Sequence, residues 1–158
     1  ASAVIQCIKY EKLNDEFSTD IFTVDALRGK LGINAIESKK SLYDLVVLDS
    51  MGVEKNFAES LEREDDVVVY TKLPRGFYIN TPMGKYNPDW AVAFREGSVK
   101  HVYFVAETKG NDLLSSQIRS SEKSKITCAM RHFDAISDGS LIYSVVKDYQ
   151  SLYDVVRK

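Results

Sequence analysis

From residue 43 onward, the order of apolar and polar positions divides the chain into short blocks with different periods. Leu45, Val46, Val47 and Leu48 form an unbroken run inside Tyr43–Asp49, which suits a strand buried on both faces. After Ser50 the period lengthens. Glu54, Phe57, Ala58 and Leu61 recur at i, i+3, i+4 and i+7, one face of a helix, and that face includes a carboxylate. The valine-rich stretch Asp66–Leu73, then Trp90–Phe94 and Val102–Ala106, have the β-branched and aromatic composition of strands. Ser120 or Ser121 can cap a helix whose face is Glu122, Ile126, Ala129, Met130 and Phe133, and Leu141–Val146 reads as a last strand. Upstream, Ala3–Tyr10 reads as a strand, and Val24–Ser41, polar and interrupted by glycine, as loop or irregular helix. The order is helix, three strands, helix, strand, behind an N-terminal β extension. It predicts an α/β domain with a mixed central β-sheet flanked by helices.

Composition sets the scale of that domain. With 158 residues and 44% hydrophobic content, the chain fills one core, so residues 1–158 are expected to form one domain, 1–42 as the extension and 43–158 as the core. Neither repeats nor low-complexity tracts interrupt it. No apolar run is long enough to span a bilayer and no signal peptide opens the chain, which predicts a cytoplasmic protein without a membrane partner. The chain starts without methionine, which suits a domain cut from a longer polypeptide, and Ala1-Ser2 fits a cloning scar. Cys7 and Cys128 lie far apart and outside any Cys-x-x-Cys pair, so both are expected to be reduced and buried. The net charge of −2 gives no global basic excess, and any grip on nucleic acid must be local or supplied by a partner.

Chemistry enters at a turn. Glu96-Gly97-Ser98-Val99 suits a hairpin centred near Ser98, which pairs each residue with its mirror image about that position and sets Asp89 across from Glu107. Strand alternation then puts Lys109 on the same face as Glu107. Two carboxylates can hold Mg²⁺, with Mn²⁺ as a substitute, and leave sites for water and a phosphate oxygen, while the ammonium orients the water or stabilises charge on the phosphate. The same spacing also fits a plain cross-strand ion pair, because Pro-Asp and Glu-x-Lys are common sequences. His101 and His132 have no acidic or cysteine partner nearby in sequence, so neither is assigned as a general base.

Lys72-Leu73-Pro74, Phe77, Thr81-Pro82-Met83-Gly84-Lys85-Tyr86-Asn87-Pro88-Asp89-Trp90-Ala91 and Tyr103-Phe104-Val105-Ala106-Glu107-Thr108-Lys109-Gly110 carry a more specific signal. Together they closely resemble the nuclease domain of the restriction (Res) subunit of type III restriction enzymes. The likeness continues through Tyr43-Asp44, Val53-Glu54, Phe57-Ala58 and Leu61-Glu62, and on through Ser121-Glu122-Lys123, Lys125-Ile126 and His132-Phe133. Those nucleases belong to the PD-(D/E)xK group, and Pro88-Asp89 with Glu107-Thr108-Lys109 matches the motif without substitution. The resemblance implies a restriction-endonuclease-like core and a Mg²⁺-dependent site-specific deoxyribonuclease of the prokaryotic cytoplasm. It implies metal ligation by Asp89, Glu107 and the main-chain carbonyl of Thr108, with Lys109 at the water or phosphate. One nick per domain is expected on double-stranded DNA. A helicase portion of the same polypeptide and a methyltransferase (Mod) subunit, which supplies site recognition, are the implied partners. No Gly-x-x-x-x-Gly-Lys-Ser/Thr loop occurs, so this chain has no ATP site and the motor lies elsewhere.

Secondary candidates surround the motif. Glu54 occupies an apolar helix face where an unpaired carboxylate is costly, and relatives often place an acid on the equivalent helix near the metal; a first-turn carboxylate favouring the helix dipole is the other reading. Lys85, Tyr86 and Asn87 are candidates for DNA contact, against a plain turn. Arg119, Lys123 and Lys125 are also candidates, against a solvated mixed-charge surface around Glu122. Competing functions are a PD-(D/E)xK nuclease of repair or recombination, and a non-catalytic DNA-binding domain that keeps the fold.

Overall fold

The computed structural model of the protein describes residues 9–10, 29–95, 103–108, 120–137, 139 and 141–157, with residues 103–108 and 120 described through their backbone alone. In chain order these form β1 (Ala35–Glu37), β2 (Leu45–Val47), α1 (Val53–Arg63), β3 (Val67–Lys72), β4 (Ile79–Thr81), β5 (Gly84–Tyr86), β6 (Trp90–Phe94), β7 (Tyr103–Thr108), α2 (Ser120–Ile136), β8 (Leu141–Val146) and α3 (Tyr149–Val156). The expected strand at Ala3–Tyr10 lies mostly outside the described residues. The main sheet has the order β3-β6-β7-β8. Its first two pairings are antiparallel and its last is parallel, which makes the mixed sheet that the pattern predicts. A parallel pair needs a crossover, and α2 lies in the connection between β7 and β8.

Alternation along the strands sends side chains to two cores. On one face Trp90 and Val92 pack with Tyr70 of β3 and with Phe57 and Leu61 of α1, and Val146, Leu152 and Val156 extend this cluster to α3. The Trp90 ring lies 5.6 Å from that of Phe57 and 6.1 Å from that of Tyr70. The buried residues of α1 are Glu54, Phe57, Ala58 and Leu61, the stripe its period marks out. A second cluster joins Ile79, Tyr86, Ala129, Phe133 and Tyr143, so that α2 and the β4–β5 hairpin cover Tyr143 of β8. Gly84 carries φ of 98° at the turn of that hairpin, a conformation that side-chain-bearing residues rarely adopt.

Four local expectations change. β2 is not buried on both faces: Val46 is buried but Leu45 is 40% exposed, because the strand pairs only with β1 among the described residues. Part of the expected loop at 24–41 is the strand β1, held close to β2 by Gly29, where a Cβ would meet a Val47 methyl at 2.7 Å. The buried stripe of α2 takes in Cys128 and Ala129, whereas Met130 is 48% exposed, one step around the helix. Cys128 is a buried free thiol, as expected, and Cys7 lies outside the described residues. Beyond β8 the chain continues into α3, started by a reciprocal cap in which Asp148 accepts from the Ser151 N–H and the Ser151 hydroxyl accepts from the Asp148 N–H. No helix among the described residues is long and apolar enough to cross a membrane.

Glu62, on α1, ties three segments. Its carboxylate accepts from the Ser38 hydroxyl, from the Lys39 and Lys40 N–H groups at 3.2 and 3.3 Å, and from the Tyr70 hydroxyl at 2.9 Å. Burial raises its pKa, but the donors of Ser38, Lys39, Tyr70 and Lys40 outweigh it and leave the carboxyl below its ordinary range.

Two outcomes follow from this packing. Leu61→Ala should cost about 2–5 kcal/mol in denaturant unfolding, since Leu61 is fully buried, whereas Val68→Ala, at a position 54% exposed, should stay within about 0.5 kcal/mol. Equal losses would mean that α1 does not seat on the sheet as described. Glu62→Gln should lower the melting temperature by a constant amount above about pH 5. The gap should close as pH falls below the unfolded carboxyl value of about 4.3 and through the depressed folded one, because a lowered carboxyl pKa stabilises only while ionised. A gap that persisted unchanged to pH 3 would show that the charge of Glu62 contributes nothing.

Candidate active site

The β6–β7 pairing runs Trp90↔Ala106, Ala91↔Val105, Val92↔Phe104 and Ala93↔Tyr103, the register of a hairpin centred at position 98. Asp89 precedes β6 by one residue and Glu107 follows the last paired residue of β7, so the same register continued by one step would set them across from each other. β7 continues to Thr108, and Glu107 and Thr108 pair with Val145 and Val146 of β8. The backbone at 107 and 108 is therefore held by β8, one step past the last β6 partner of β7. The side chain of Glu107 and the whole of Lys109 lie outside the described residues, as does Arg119.

Asp89 is approached by a tightly held segment. Proline at 88 restricts Asn87 to extended backbone and is itself fully buried. The Asn87 side-chain amide donates to the carbonyls of Arg75 and Phe77 at 2.8 and 2.7 Å, and the Leu73 N–H donates to the Asp89 carbonyl at 2.8 Å. Just before them, Tyr86 is buried, and its hydroxyl shares a 2.5 Å hydrogen bond with that of Tyr143. Of these two candidates for DNA contact, Tyr86 thus uses its hydroxyl inside the domain, whereas Asn87 clamps the neighbouring turn from an exposed position. The exposed Lys85 has its ammonium 3.7 Å from the centre of the Tyr78 ring, and its carbonyl accepts from the Lys125 ammonium at 3.2 Å. Lys123 is exposed on the same helix as Lys125.

Glu54 is buried, and it is paired. Its Oε2 accepts from the N–H groups of Asp49 and Ser50 at 2.7 and 3.2 Å, and the Lys72 ammonium lies 2.9 Å from Oε1 and 2.8 Å from Oε2. The same ammonium reaches Asp49 Oδ2 at 2.6 Å and stands 5.9 Å from the centre of the Trp90 ring. Lys72 is directly opposite Trp90 in the β3–β6 register, one position from Asp89. Sequence reasoning gave Lys72 no role. Its signal was indirect: a carboxylate on an apolar face demands a cation, and Lys72 closes the valine strand that follows that helix.

His132 has no partner for its buried Nδ1, and burial lowers its pKa, so it is neutral at neutral pH. It stands edge-on to the rings of Tyr10 and Phe133, 5.0 and 5.3 Å away. Among the described residues, no three histidine, cysteine or carboxylate side chains gather as a metal site. The groups at the adjoining ends of β6 and β7, the Asp89 carboxylate and the backbone at 107–108, offer oxygens, the hard ligand type that Mg²⁺ takes.

No curated protein and no solved structure matches the chain. A family model described as an endonuclease domain matches residues 39–149. The match starts between β1 and β2, ends as α3 begins, and takes in α1, the whole main sheet, Asp89 and residues 107–109. This run covers well over half of the sequence, and the chain belongs to the endonuclease domain family.

Proposed function

We propose that this domain hydrolyses phosphodiester bonds of double-stranded DNA as the cleavage module of a type III restriction enzyme in the prokaryotic cytoplasm. The observation that carries the reading is the β6–β7 register, which ends at Trp90↔Ala106 and, continued by one residue, would set Asp89 across from Glu107 in a chain of the endonuclease domain family. The type III assignment is supported by the resemblance of Thr81–Ala91 and Tyr103–Gly110 to Res subunits. Asp89, Glu107 and the Thr108 carbonyl are the groups that would hold Mg²⁺, or Mn²⁺ in its place. The bound ion would polarise the phosphate and acidify the attacking water.

The remaining work falls to the chain itself. Lys109 orients the water or stabilises the charge that grows on the phosphate oxygens. The Leu73 N–H, the clamped Asn87 and the buried Pro88 hold the Asp89 backbone before substrate arrives, which avoids reorganisation during the reaction. Lys85, Asn87, Lys123 and Lys125, with Arg119, contact the DNA backbone, and the buried Tyr86 supports them from within. With a net charge of −2 the domain binds DNA weakly by itself, so the helicase portion and the methyltransferase subunit supply most of the grip and all of the site recognition.

The test is plasmid nicking by the full enzyme in Mg²⁺. Asp89→Asn and Glu107→Gln should reduce nicking to background while ATP hydrolysis on DNA persists, and Lys109→Ala should lose about 10²–10³-fold in rate. Chelator should stop the wild type and Mn²⁺ restore it. Wild-type nicking by Asp89→Asn, or nicking that survives chelation, would overturn the assignment.

A further inference from the structure

Most of the hydrogen-bonding capacity around Glu54 is already used. A carboxylate accepts at about four lone-pair positions, and an ammonium has three donors. Glu54 receives the Asp49 and Ser50 N–H groups on Oε2 and the Lys72 ammonium on both oxygens, four contacts in all. Lys72 makes three, to the two oxygens of Glu54 and to Asp49 Oδ2. The pair is withdrawn from solvent, with 13% of the Lys72 side chain and 10% of the Glu54 side chain exposed, whereas that of Asp49 is 80% exposed.

We propose that Lys72 is a positioning residue of the nuclease site and the resident cation of the Asp49–Glu54 pocket, so that Glu54 is the counter-ion of Lys72 and not a ligand of the catalytic metal. The proposal rests on the reading that Asp89 holds that metal. A divalent ion at Glu54 would have to displace an ammonium whose three donors are satisfied, leaving it with only the exposed Asp49 as counter-charge, and breaking a buried pair this way is strongly unfavourable. The geometry gives Lys72 its link to the reaction. It pairs with Trp90 across the strands, and the N–H of the next residue, Leu73, holds the Asp89 carbonyl at 2.8 Å. With its ammonium tied to α1 and its backbone tied to β6, Lys72 fixes the end of β3 against which Asp89 is set.

The experiment counts Mn²⁺ bound to the chain by electron paramagnetic resonance, without DNA. Asp89→Asn should weaken binding by about tenfold or more. Glu54→Gln should leave the number of ions unchanged and weaken binding far less. Lys72→Met, which leaves two carboxylates facing each other, should take up one further ion, and adding Glu54→Gln to it should abolish that gain. Lys72→Arg should behave as wild type in the ion count and recover most of the kcat that Lys72→Met loses, with KM for plasmid unchanged in both. The inference is overturned if Glu54→Gln weakens Mn²⁺ as much as Asp89→Asn does, a comparison that stands even if Lys72→Met fails to fold. An Asp89→Asn variant that binds Mn²⁺ like wild type would instead sink the metal-site reading, whatever Glu54 does.

Discussion

A carboxylate on the apolar side of a helix must be paired, and at Glu54 that requirement organises one half of the molecule. Nearly out of water, the Glu54 carboxylate needs a cation and hydrogen-bond donors within reach at once. Lys72 supplies the cation from β3, and the turn before α1 supplies the donors through the Asp49 and Ser50 N–H groups. Satisfying one charge thus sets the start of the helix, its height above the sheet and the end of the neighbouring strand. Phe57 and Leu61 then contribute the apolar burial that makes the placement stable, packing with Trp90 and Tyr70.

The other face is fastened differently. There the join is a pair of tyrosine hydroxyls, Tyr86 with Tyr143, inside a cluster shared with Ala129 and Phe133 of α2. It locks the β4–β5 hairpin to the far strand of the sheet, and the Lys125 ammonium on the Lys85 carbonyl adds a second fastening. Asp89 sits where the two systems meet. From one side it is held through Leu73, next to Lys72, and from the other by the segment that leaves Tyr86 through Asn87 and Pro88. A residue placed by both cores is well suited to hold one geometry.

How much of this the sequence showed depended on range. Elements of five residues or more with a clear period, α1, β3, β6 and β8, stand close to where their patterns put them, and the Ser98 centre set the right register because a hairpin is a local object. β1, β4 and β5 are three residues each, too short to show alternation, and α3 has only eight. The cap of α3, Asp148 with Ser151, carries a serine in place of the usual Glu or Gln, which makes a weak signal in sequence. The site divides in the same way. Asp89 and Glu107 could be paired from strand spacing, whereas the partnership of Glu54 with Lys72 spans 18 residues and two elements and has no local pattern. Tyr86 looked available for contact because a polar side chain in a loop-like stretch is the same in sequence whether its hydroxyl faces solvent or joins another inside the domain.

Trp90 is the only tryptophan in the chain, fully buried, and it follows Asp89 directly. Its ring lies within 6 Å of a fixed ammonium, 5.9 Å from the Lys72 nitrogen to the ring centre. Indole emission responds to the electric field across the ring, so any charge that arrives or leaves at this end of the sheet is written into the colour of the light the protein emits. The domain therefore carries its own optical gauge of the candidate site, free of any label and of interference from a second indole.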